Sequence, residues 1–176
     1  MKVQDVIAKF NNKEKLEYVF FWKTNSYFSN WHPSDFVVDG VSYWCVEQYM
    51  MAKKAELFKD YAVHRMIMNC NSQRDIKALG RKISGFNESI WVQHREKIVF
   101  DGNYAKFTQN PKLKSYILKQ KGKILVEASP YDKIWGIGLD DSDFKLVSNP
   151  NNWRGLNLLG FVLMDVRDKI LSESRC

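Results

Sequence analysis

The sequence is poor in the residues that build cross-links, metal cages and membrane anchors. Its three cysteines, Cys45, Cys70 and Cys176, are odd in number and far apart, which fits neither a disulfide framework nor the paired spacing of a zinc site. The three histidines, His32, His64 and His94, are equally scattered. No structural metal and no cofactor are therefore expected, and a reducing compartment is. No apolar run approaches the roughly 20 residues that a membrane-spanning helix needs. Lys2, Asp5 and Lys9 break up the apolar residues at the N-terminus, which argues against a signal peptide and for a cytoplasmic protein with no membrane partner. Four prolines and nine glycines leave little room for linkers, and neither repeats nor low-complexity tracts occur. One domain over residues 1–176 is expected, long enough to bury a core without staples.

What is present is apolar, aromatic and basic. Hydrophobic residues make up 45% and aromatics 14%, and many of the aromatics sit beside Asn, Asp or Gly instead of in clean apolar runs. Twenty-seven Lys and Arg against 20 Asp and Glu give a net charge of +7. That balance suits a phosphorylated or nucleic-acid partner, and it suits equally a basic protein with no such partner.

The chain is organised around the stretch Val41 to Ala55. From about Cys45 it reads as a helix, because Ala, Met, Glu, Gln and Lys dominate and neither Gly nor Pro intrudes. Helical spacing puts Glu47, Met50, Met51 and Lys54 on one face, with the acid and the base about 10 Å apart along the axis. Such pairs usually form a solvated salt-bridge face. Here the helix follows a run of aromatics, and a carboxylate and an amine on an apolar face would have the shifted pKa values that an active site needs.

Around this stretch the periodicity predicts a short helix over Val3–Phe10, a strand over Leu16–Trp22, and an aromatic loop over Lys23–Pro33 that must fold onto something. A hairpin over Phe36–Tyr43 turns at Asp39-Gly40. The middle is helical, with breaks near Asp60, Asn69–Asn71 and Gly80. Arg81 and Lys82 follow Gly80, where cations at a helix C-terminus are the favoured reading and phosphate binding is the alternative. Asn87 caps a helix through Ile98 that carries Trp91. Asn110-Pro111 starts another, Lys123–Ala128 is a core strand, and Asn157 caps a last helix through Leu171. The turn Ser129–Gly138 joins Asp132, Trp135 and Gly136-x-Gly138. Its glycines allow a ligand to approach the backbone, but the strand–GxGxxG–helix context of a dinucleotide site is missing.

Phe28-Ser29-Asn30-Trp31, Asp39-Gly40, Val46-Glu47-Gln48-Tyr49, Ala52-Lys53-Lys54, Gly80-Arg81, Trp91, Lys106–Asn110, Leu125–Ala128, Asp132, Trp135–Gly138 and Gly155–Gly160 occur in an order and spacing that resemble the YbiA-like, or NADAR, family over about residues 18–171. The resemblance implies an α+β fold: a single compact, largely helical domain with a small β-sheet that cleaves N-glycosidic bonds. Members similar to this chain act on early riboflavin-pathway intermediates, cutting between ribose phosphate and aminopyrimidine; relatives remove ADP-ribose from guanine in nucleic acids. It also implies Glu47, Asp132 and Lys54 as catalytic residues, and Asn30, Tyr49, Arg81, Trp91, Trp135, Gly136 and Asn157 as substrate-binding ones. Gln48 stands where members often have His, and Lys53 where they have Gln, which adds charge nearby.

The chemistry agrees with these residue types. Breaking an N-glycosidic bond builds positive charge at the anomeric carbon; one carboxylate can stabilise it and orient water while another group protonates the leaving base. Either carboxylate could take either role. Lys54 could hold phosphate, tune Glu47, or attack C1 as an amine. A different class of reading is a non-catalytic module that binds ADP-ribose, NAD or single-stranded nucleic acid through the same aromatics and charge. A third is a scaffold whose aromatic loops fold back into the core.

Overall fold

Eight α-helices and four short strands follow the punctuation of the sequence in a computed structural model that describes residues 1–174. The chain clusters into two compact units, one of Met1–Ser29 with the chain from Ser115 onward, the other of Asn30–Lys114. The expected α+β class is what the structure shows: mostly helix, with two two-stranded sheets in place of one. Cys176 lies outside the described residues.

The first unit holds α1 (Val3–Asn11), β1 (Tyr18–Phe21), β4 (Ile124–Glu127), α7 (Phe144–Val147), a 3-10 turn at Pro150–Asn152 and α8 (Leu158–Glu173). β1 and β4 pair in parallel, from Tyr18 opposite Ile124 to Phe21 opposite Glu127. α8 packs on β4, and Leu125, Val126, Leu159, Leu163 and Ile170 of the two elements are buried. The first half of the aromatic loop folds inward, with the Phe28 ring 5.3 Å from Phe21 and 5.1 Å from Tyr116. The buried Arg167 donates through Nη1 to the carbonyls of Gln120 and Lys123, both at 2.7 Å, tying α8 to the turn before β4.

The second unit holds β2 (Phe36–Val38), β3 (Val41–Tyr43), α2 (Val46–Leu57), α3 (Tyr61–Met68), α4 (Gln73–Gly80) and α5 (Glu88–Gln109). α6 (Pro111–Leu118) carries the chain across the boundary. In the β2–β3 hairpin, Asp39 and Gly40 take φ of 51° and 78°, the pair of positive values that a type I′ turn demands. Gln109 extends the pairing, since its side chain accepts from the Val37 N–H and donates to the Val37 carbonyl, both at 2.8 Å. α2 sits at the centre against α3, α4 and α5, and this is why so little of it is left to water: Val46 to Ala52 and Ala55 are all buried.

α5 departs from expectation. It was expected to end at Ile98, before the helix-averse Asp101-Gly102-Asn103, but it runs on to Gln109. Tertiary contact overrides the local preference. A Cβ at Gly102 would lie 2.6 Å from the Tyr49 ring, so the missing side chain lets α5 press on α2. The Asn103 amide donates to the Val99 carbonyl at 3.0 Å, joining the helix instead of ending it.

Candidate active site

Glu47 lies in the first turn of α2, where the positive end of the helix dipole favours a carboxylate. It is 4% exposed. Its backbone N–H donates to the Asn30 carbonyl at 2.9 Å, and the Asn30 side chain accepts from Asn103 of α5 at 3.0 Å. Asn30 is itself buried, so it fixes the start of α2. Gln48 accepts from the Trp44 N–H at 3.1 Å and donates to the carbonyls of Ile67 and Met68 at 3.3 Å, sealing two helix ends at once.

Two turns further on, Lys54 is half-buried. Its Nζ donates to the Gly80 carbonyl at 2.9 Å, at the negative end of α4. The same nitrogen lies 4.3 Å from the Phe86 ring centre and 5.5 Å from that of Trp91. Burial pushes the Lys54 pKa down, and Glu88 and Glu47 oppose that shift. The carboxylate and the amine of one helix thus feel each other's charge. Gly80 makes the arrangement possible, because a Cβ there would collide with the Met51 sulfur. Trp91 is 7% exposed, placing most of the indole in the core.

Arg81 caps α4 immediately after the carbonyl that Lys54 holds, and it is exposed. Tyr49, expected to bind substrate, is 3% exposed and packs edge-on against Tyr43 at 5.0 Å and Phe36 at 6.0 Å; burial raises its pKa. Lys53 brings its charge to Glu56, 2.9 Å away, which His64 also meets at 3.2 Å.

Two residues of this unit were given no role by sequence reasoning, although Lys106 opens one of the family-like motifs. Phe86 occupies the position before the N-cap of α5, and Trp91 the fourth helical position, the spacing of a hydrophobic staple, so the pairing was legible in principle. Lys106 is fully buried. Burial lowers its pKa to about 7, with Cys45 opposing. The Cys45 thiol is pushed up to about 12 by its own burial, and the charges of Glu47 and Lys106 both reach it. Trp91, Arg95, Val99, Asn103 and Lys106 are all buried along α5 at three- and four-residue steps, and that periodicity was the available signal for Lys106.

In the first unit, the Asp132 carboxylate oxygen Oδ1 accepts from the N–H groups of Ile134 at 2.9 Å and Trp135 at 2.8 Å, which shapes the turn. Trp135 is partly exposed. The room around Gly136 is filled by the protein itself, since a Cβ would lie 2.8 Å from the Glu127 carbonyl and 3.0 Å from that of Asp132. Asn157 stands at the N-cap of α8 with φ 52°, but its side chain makes no capping bond. It accepts from the Glu127 N–H at 2.9 Å and donates to the Leu125 carbonyl at 3.0 Å, clamping β4. Among the described residues, no cluster of His, Cys, Asp or Glu could hold a metal ion, and no helix is long and apolar enough to cross a membrane.

A buried carboxylate and a half-buried amine thus stand on one helix, with an indole beside the amine. The chain belongs to the NADAR domain family, whose model matches residues 20–171. It is 46% identical to an N-glycosidase of Acanthamoeba polyphaga mimivirus over 165 residues, covering 87% of this chain and 96% of that one. It is 36% identical over 84 residues to the chloroplastic riboflavin biosynthesis protein PYRR of Arabidopsis thaliana, 48% of this chain and 12% of that protein. The NMR structure of the E. coli protein YbiA superposes with a TM-score of 0.74 at 26% identity, over 90% of this chain and 87% of that one.

Proposed function

We propose that this chain, an N-glycosidase of the NADAR family, hydrolyses the bond between a phosphorylated ribosyl group and an amino-substituted heterocycle. The observation that carries this reading is the pairing on α2 of a buried Glu47 with a Lys54 amine held between two aromatic rings and a helix-end carbonyl. As the C1–N bond breaks, positive charge grows on the sugar ring and the buried Glu47 carboxylate opposes it. Glu47 then takes a proton from the water whose oxygen bonds to C1, and that proton ends on the departing nitrogen, so that the base leaves neutral and Glu47 returns to the carboxylate. Lys54 acts as an ammonium, because a carbonyl acceptor and two ring faces all favour the charged form, and together with Arg81 it meets the phosphate.

The substrate is either a ribose phosphate joined to an aminopyrimidine, as in early riboflavin intermediates, or ADP-ribose joined to guanine in a nucleic acid. The match to a plant riboflavin-biosynthesis protein supports the first, and the net charge of +7 is compatible with both. The test is incubation with each substrate and mass-spectrometric detection of the released base. Release from neither overturns the reading, and release from one assigns the substrate. Arg81→Ala should raise KM more for the phosphorylated compound than for its dephosphorylated nucleoside; an equal effect on both would remove Arg81 from phosphate recognition.

A further inference from the structure

Phe86 is the ring nearest the Lys54 amine, at 4.3 Å from Nζ to the ring centre, and it belongs neither to the family-like motifs nor to the residues given a catalytic or binding role. It is 43% exposed, although it stands in the loop between α4 and α5, where a polar residue would cost less to solvate. Its ring leans on Phe58 at 5.3 Å, just after the end of α2, and so it is held from the helix that bears Lys54. With Trp91 at 5.5 Å and the Gly80 carbonyl at 2.9 Å, the amine has an aromatic face on two sides and one hydrogen-bond acceptor. Three separate elements, α4, α5 and the loop between them, supply these walls. A lysine needed only for packing would not require such an enclosure, since long flexible side chains normally carry their charge out to water.

We propose that Phe86 is a positioning residue for the N-glycosidase reaction, its ring closing a cage that holds the Lys54 amine in place as a cation. This rests on the reading of Lys54 as part of the active site. Phe86 acts through Lys54 and need not touch the reacting atoms. The charges that act on the amine are Glu88 at the start of α5 and Glu47 on its own helix. α4 contributes the Gly80 carbonyl, and Arg95 sits 3.9 Å from Glu88 and moderates it. Both carboxylates favour the ammonium, as the ring faces do, and burial alone works against it.

The test compares Phe86→Leu, which keeps an apolar side chain in the staple position without a ring face, with Phe86→Tyr, which restores the ring. Two readouts are needed: the pH profile of kcat/KM on an N-glycoside that is turned over, and direct titration of the Lys54 amine by NMR on selectively labelled lysine, identified through Lys54→Arg. Phe86→Leu is expected to shift the amine's titration and the basic limb of the profile together towards lower pH by about half a unit, and Phe86→Tyr to return both. A titration unmoved by Phe86→Leu would overturn the cage, whatever the activity. A titration that moves while the profile stays fixed would overturn the part of Lys54 in turnover, and with it the assignment of Phe86 to the reaction. Equal loss in the Leu and Tyr variants would confine Phe86 to packing.

Discussion

Lys106→Met would remove a fully buried amine while keeping an unbranched side chain of similar length. Burial lowers the lysine's pKa from 10.5 to about 7. At 1.36 kcal/mol per pH unit, that interval corresponds to roughly 4–5 kcal/mol for carrying the amine into the core charged. The folded-state value lies below the unfolded one, so between about pH 7 and 10.5 the unfolded chain holds more protons than the folded one. Wild-type stability therefore rises with pH across that window, and the penalty is complete below it. Methionine carries no such term. The difference in stability between variant and wild type should move in favour of the wild type by roughly 2 kcal/mol between pH 7 and pH 9. Cys45 does not confuse the comparison, because burial pushes its thiol up to about 12 in the folded state and its titration in the unfolded chain is common to both proteins, so it cancels in the difference. Urea unfolding of both proteins at half-unit steps of pH gives the difference directly. A difference that does not vary with pH would refute the reasoning.

Three further outcomes follow from the geometry. Glu47→Gln should lower turnover by about 10²-fold or more while melting temperature and ligand affinity hold, because shape is kept and charge removed; near-normal release of base from a folded variant would take Glu47 out of the mechanism. Trp91→Ala should destabilise by about 3–5 kcal/mol, since the indole is 7% exposed, whereas Trp135→Ala, in a partly exposed turn, should weaken binding by roughly 1–3 kcal/mol if the ring stacks on ligand; melting curves and titrations of intrinsic fluorescence separate the two. Gly102→Ala would ordinarily stabilise a helix by about 1 kcal/mol, but here the new methyl meets the Tyr49 ring at 2.6 Å, so a fall in stability is expected in thermal unfolding, and a rise would show that the two helices are not pressed together.

The parts of the fold that local chemistry governs were legible. Asp39-Gly40, Asn87 and Asn110-Pro111 announced a turn and two helix starts, because each acts on backbone within a few residues. The length of α5 was not legible, since what carries the helix through Gly102 is a ring on another helix. Glu47 and Lys54 could be placed on one face from spacing alone. That one is buried in the core and the other enclosed by Phe86, Trp91 and Gly80 depends on chain far away in sequence. Tyr49 shows the limit from the other side: a motif position next to a catalytic candidate turns out to carry the packing of α2 against the hairpin.

Asn157 imposes a stricter demand than any residue of the proposed chemistry. Its amide gives a proton to one strand carbonyl and takes one from a neighbouring N–H, while its backbone sits at φ 52°, a conformation that asparagine tolerates better than other side-chain-bearing residues. Aspartate would set an anion against the Leu125 carbonyl, glutamine is one methylene too long, serine lacks the reach for both bonds, and glycine would leave a buried donor and acceptor unmet. No replacement satisfies all three conditions. A library of random variants selected merely for solubility, with no substrate present, should therefore return asparagine at this position as faithfully as one selected for activity. Glu47, being buried, would give way in the first library to uncharged residues that fill the same space, and be recovered in the second.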